Sequence, residues 1–163
     1  MDKHFELTDK FIINAFGIKL LQIKCTRKIK HADVGDLGGY IEKEDNLSGD
    51  AWVSGNAQVS GNAKVYDDAW VCGDAKVSGN AQVSGDAKVS NNNEHCGFDC
   101  FGSANRHTHA YKTQSGKVEI ICGCFRGSIE EFEEQVKKTH QGNEFERQYM
   151  AIAEVIKIKL GLK

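Results

Sequence analysis

The chain has 163 residues, 40% of them hydrophobic and 27% charged, with a formal net charge of -2. That length holds one compact domain or two small ones and excludes a large multidomain enzyme. The near-neutral balance, with a pI near 6.3, lacks the basic footprint of a general nucleic-acid binder. No apolar run approaches the ~20 residues of a membrane-spanning helix, and the start, MDKHFELTDK, has no signal-peptide core. A cytoplasmic protein is expected, without a membrane partner, its six cysteines reduced rather than paired.

Residues 1–40 carry two apolar stretches, Phe11 to Phe16 and Ile18 to Cys25, hinged near Gly17 and read as a strand pair. The basic run Lys24, Arg27, Lys28, Lys30, His31 is matched by acids over the same region, so it reads as a solvated face rather than a phosphate track. Gly35 to Glu42 then turns the chain into residues 41–92, where Ala recurs at 51, 57, 63, 69, 75, 81 and 87 and Val at 53, 59, 65, 71, 77, 83 and 89. Gly precedes each Ala by two positions except at Asp67, with Asn or Asp between. A step of six would smear Val around a helix axis, so the unit V-x-G-[ND]-A-x reads as short strands joined by tight turns, Val inward.

These residues resemble the hexapeptide-repeat family. The resemblance implies a left-handed parallel β-helix of three faces, 18 residues per coil and about three coils over residues 41–92. It also implies a homotrimer of side-by-side prisms. An 18-residue coil puts Trp52 beneath Trp70 and Lys88, Gln58 beneath Lys76, and Lys64 beneath Gln82. The two tryptophans of the chain then share one face, which is assigned to the subunit interface; the alternative is that each packs under its own terminal segment.

Residues 93–163 read as a β-hairpin, Tyr111 to Thr113 with Lys117 to Phe125, followed by two helices. Ser128 and Glu131 form a capping-box pattern before Ile129, Phe132 and Val136; after Gly142-Asn143 a second helix carries Phe145, Tyr149, Ile152, Ile156 and Leu160. The fold class is therefore mainly β, with an N-terminal strand pair and a small α+β C-terminal region. The layout is similar to a group of short phage-encoded proteins of the hexapeptide-repeat class in Gly35 to Glu42, in the repeat itself, and in Gly123 to Phe132 with Thr139-His140.

Acyltransferases of the hexapeptide-repeat class use a histidine on a coil or protruding loop, and no His occurs between 41 and 92. His95, Cys96, Cys100, His107, His109, Cys122 and Cys124 are the densest set of ligand-type side chains. They lack the paired C-x2-C knuckles of a zinc site, and Val118, Ile120, Cys122 and Cys124 share a strand face, so these thiols are read as small hydrophobes and neither metal nor cofactor is expected. Gly102 to His107 forms a small Gly-Ser turn beside Arg106, suited to an anion. The expected ligand set is Arg106, His107, His109, Tyr111, Lys112 and Arg126. The function expected is a trimeric, phage-type binding protein that sequesters an anionic nucleotide-like signal in the host cytoplasm and blunts a host defence. Acyl transfer, and a structural or host-protein-occluding role, are the alternatives.

Overall fold

The computed structural model describes residues 3–163. The protein is mainly β with a small helical region near its C-terminal end, and it divides into two compact units, Met1–Asn92 and Asn93–Lys163.

In the first unit the strands are β1 (Phe5–Ile13), β2 (Lys19–Cys25), β3 (Leu37–Ile41), and then seven two-residue strands: β4 (Trp52–Val53), β5 (Gln58–Val59), β6 (Lys64–Val65), β7 (Trp70–Val71), β8 (Lys76–Val77), β9 (Gln82–Val83) and β10 (Lys88–Val89). The two-residue strands pair in parallel at an offset of 18: Trp52 with Trp70 and Trp70 with Lys88, Gln58 with Lys76, Lys64 with Gln82. Backbone bonds hold each level to the next, as where the Trp52 N–H donates to the Ala69 carbonyl and the Trp70 N–H to the Ala87 carbonyl, both at 2.9 Å. The repeated Val and Ala side chains are buried, which is the apolar area that keeps strands this short in place. At the corners, Gly55 lies with its backbone against Gly73: φ is +64° and an added Cβ would meet Gly73 O at 3.2 Å. Asp67 replaces glycine at one corner with φ 59°, and its carboxylate accepts from the Gly85 N–H at 3.2 Å.

The hairpin of β1 and β2 joins this stack through β3, antiparallel to β2 and parallel to β5, so one sheet runs β1-β2-β3-β5-β8. Strand β3 crosses residue 40. The first strand begins at Phe5, upstream of the apolar stretch expected to form it. Asn14 explains its end: its Oδ1 accepts from the Phe16 and Ile18 N–H groups at 2.9 and 3.0 Å, which closes the turn and leaves Phe16 outside the strand. The basic run is neutralised locally by Lys24–Glu6, Arg27–Asp50 and Lys28–Asp33 pairs.

The tryptophan column corrects an expectation. Trp52 is 2% exposed within its own chain, tilted against the His4 ring, whose Nε2 donates to the Ala51 carbonyl at 2.7 Å. Trp70 stacks on His31 at 4.9 Å, donates Nε1–H to Ser54 Oγ at 2.9 Å, and carries the Lys88 ammonium 5.1 Å from its ring centre. Terminal-segment residues cover both indoles, so Trp52 offers no surface to another subunit and Trp70 offers little.

The second unit is an antiparallel meander, β11 (His95–Phe101), β12 (Arg106–Lys112), β13 (Val118–Cys122) and β14 (Phe125–Gly127), with helices α1 (Ile129–His140) and α2 (Glu144–Leu160). One sheet face, with Ala110, Val118, Ile120 and Cys122, shares a core with Phe132, Val136, Tyr149, Ile152 and Ile156 of the helices. Ser128 and Glu131 make the reciprocal cap of α1, and Asn143 caps α2 by accepting from the Phe145 and Glu146 N–H groups. The hairpin expected from sequence is thus the middle of four strands. Cys124 does not share the buried face with Cys122, because β13 ends there and Gly123, at φ 60°, turns the chain outward. Among the described residues no helix is long and apolar enough to cross a membrane.

Candidate functional site: a histidine chain on the polar sheet face

Residues directly opposite in antiparallel strands share a face. The register pairs His95 with Tyr111, Gly97 with His109, Tyr111 with Glu119, and Ile121 with Arg126. Alternation therefore places Asp99, His107, His109, His95, Tyr111, Glu119 and Arg126 on the face opposite the helices, and they form two linked polar groups.

In the first, His107 Nδ1 lies 2.7 Å from Asp99 Oδ1, His107 Nε2 lies 3.4 Å from His109 Nδ1, and His109 Nε2 lies 3.3 Å from His95 Nδ1. With Asp99 ionised and the three imidazoles neutral, the donors run in one order. His107 Nδ1–H donates to Asp99, His109 Nδ1–H to His107, and His95 Nδ1–H to His109. His109 is 2% exposed, and burial first, then the neighbouring His95 and His107, holds it well below the usual histidine range. In the second group the Tyr111 hydroxyl donates to Glu119 Oε2 at 2.6 Å, and Arg126 forks onto the same carboxylate at 2.9 and 3.3 Å. The His109 and Tyr111 rings, 6.3 Å apart, connect the groups.

Gly97 makes the histidine chain sterically possible. A Cβ there would sit 2.7 Å from His107 Cε1 and 2.8 Å from His109 Nδ1. Gly97→Ala is expected to cost about 1–3 kcal/mol of unfolding free energy, read by denaturant titration, because both rings would have to move.

The expected ligand residues do not form one pocket. Arg106 and Lys112 stand at opposite ends of β12, roughly 20 Å apart at ~3.3 Å per residue. His109 and Tyr111 are buried, and Arg126 is held by Glu119. Arg106 is exposed with its side chain against Gly123, and His107, the next residue of β12, projects to the opposite sheet face, so the two are not brought together either. Asp99, Glu119 and Gly97 were not singled out from sequence; the i, i+2 spacing of His107 and His109 signals a shared face, but their partners depend on strand register.

The thiols are structural or peripheral. Cys96 packs against the core and burial pushes it up to about 11; Cys122 is buried and accepts from Thr108 Oγ1 at 3.2 Å; Cys100 and Cys124 are exposed. Among the described residues no group of three or more His, Cys, Asp or Glu is placed to hold a metal ion. In the first unit a cleft of ≈ 950 Å³ is lined by His4, Arg27, Asp50, Lys64, Asp67 and neighbours, with Arg27 already bound to Asp50.

A family model described as the YdcK beta solenoid repeat matches residues 57–73. The central repeat is a beta solenoid repeat. The match runs from just before β5 to just after β7, covering 17 of the 18 residues between equivalent levels of the stack. No curated protein matches the chain.

Proposed function

We propose that this chain is a non-catalytic binding protein that takes a small anionic, nucleotide-like ligand at the Arg106 end of β12. The observation that carries this reading is the Arg106 guanidinium. It is exposed, lies over Gly123, and has no carboxylate partner among the described residues, so its fork of donors is available to a phosphate. His107, next to it in β12, faces the other side of the sheet, so Arg106 is the one member of the expected ligand set that the site keeps. His107, Lys112, Arg126, His109 and Tyr111 leave the ligand set for the geometric reasons above.

Acyl transfer is the second reading. It needs an imidazole nitrogen open to an acceptor, and both ring nitrogens of His107 and of His109 are engaged. The reading extends to a left-handed β-helix of about three coils, assembled as a homotrimer, in a phage-type setting where stoichiometric capture of a host defence signal requires only affinity and copy number. The 18-residue offset and the solenoid repeat support the helical part.

Calorimetry against cyclic oligonucleotides and ADP-ribose derivatives tests the site. One ligand per chain is expected, with affinity falling at least about tenfold in Arg106→Ala. No binding below about 10 μM, or an unchanged affinity in the variant, overturns the mechanism or the site respectively.

A further inference from the structure

The inner apolar column of the first unit does not stop where the stack stops. Along the sheet β8-β5-β3-β2-β1, the residues facing inward are Val77, Val59, Ile41, Leu21 and Phe11, each directly opposite the next. Val77, Val59 and Ile41 are fully buried, Leu21 is half-buried, and Phe11 is 50% exposed. The reason is topological. The other two sheets of the stack have their first levels at Trp52–Val53 and at the Leu47–Val65 bridge, so among the described residues neither sheet has a strand level to match β1 and β2. Ile13, two residues on from Phe11 along the same strand face, is 56% exposed, and Phe16, in the turn that follows, is 86% exposed.

We propose that this overhang is the docking surface for the overhang of a second copy of the chain, the two hairpins packing face to face about a two-fold axis. Three observations select a second copy. The missing layer is a second apolar sheet face, and the hairpin is itself such a face, so a two-fold makes the contact self-complementary. Phe11, half exposed, and Phe16, mostly exposed, together with Ile13 offer roughly 400 Å² per copy, so a two-fold pair would bury about 800 Å² in all, the size of a weak, concentration-dependent contact. The charges also match: Lys19, opposite Ile13 at the tip, lies over the Phe11 ring at 4.4 Å, and Asp9 stands on β1 toward its base. When two hairpins cross antiparallel, the tip of one meets the base of the other, and Lys19 of each copy faces Asp9 of its partner. Edge-to-edge pairing through β1 is disfavoured, because β1 has an irregular register between Leu7 and Phe11 with charged Asp9 and Lys10 inside it. The inference is independent of the ligand reading and adds a two-fold to whatever assembly the stacks make.

The test is the mass of the full chain by light scattering and sedimentation from 1 to 100 μM, for wild type and for Phe11→Ser/Phe16→Ser. Both positions are exposed, so circular dichroism and thermal unfolding of the variant should match wild type. The expected result is an even number of chains in wild type and half that mass in the variant: six to three if the homotrimer reading also holds, two to one if it fails. Lys19→Asp alone should raise the dissociation constant about tenfold, and adding Asp9→Lys should restore it. An odd number of chains at 100 μM, a mass unmoved by the double serine variant, or wild type that stays unpaired yet sediments with anionic vesicles through Phe16 would overturn the proposal.

Discussion

Trp52→Ala is expected to lose about 3–5 kcal/mol of unfolding free energy while leaving the mass of the assembly unchanged. The indole is 2% exposed inside its own chain, between the Ala51 level of the stack and His4, and its removal leaves a cavity that two-residue strands cannot collapse around. For a chain of this size the melting temperature should fall by about 6–20 °C. Trp70→Ala should cost less, since that ring is partly exposed and held by His31, Ser54 and Lys88. If Trp52→Ala instead dissociated the protein without lowering its melting temperature, the column would be an intersubunit surface after all. Thermal melts and light scattering on the same samples separate the two outcomes.

Mild acid should destabilise the protein well before its carboxylates titrate. His109 is held low by burial and by His95 and His107; His4 is held low by burial and by Arg27, against the opposing pull of the Ala51 carbonyl and Asp50. In the unfolded chain both return to about 6.5. Between that value and their lower native values the unfolded state binds protons that the folded state does not, so stability is complete above about pH 6.5 and is lost as pH falls below it. His109, the more deeply buried of the two, is expected to contribute more of this loss than His4. His31, also lowered mainly by burial but partly exposed, adds less. A melting temperature that stays flat from pH 7 to pH 5.5 would show that these imidazoles accept protons without loss of packing.

The parallel pairing at 18 residues is legible because Val and Ala recur without a gap and the same residues set both the inward face and the level-to-level spacing. The helices are legible for a similar reason: Ser128 with Glu131, and the spacing of Ile152, Ile156 and Leu160, are local signals. What covers Trp52 is not local, since His4 lies 48 positions away and its side chain reaches the stack through a hairpin whose own register carries an irregularity. Strand β11 is hidden by its composition, because Gly97, Asp99 and Cys100 break any alternation and Cys100 takes φ 65° where the register slips. The histidine chain inherits that difficulty. His107 and His109 announce a shared face, but His95 and Asp99 join them only once β11 is aligned on β12. The burial of Tyr111 and the capture of Arg126 by Glu119 likewise follow from register, and they remove residues that looked free for a ligand.

The claim that this is a binding protein acting through Arg106 is tested most directly by what the purified protein carries. Wild-type and Arg106→Ala protein, prepared identically from cells producing the candidate signals, should be heat-denatured and the released small molecules identified by mass spectrometry. The account predicts an anionic, nucleotide-like compound, chemically intact, released from wild type in near-stoichiometric amount and absent from the variant. Release of a hydrolysed or acylated product, or the same compound in the same amount from both proteins, would contradict it.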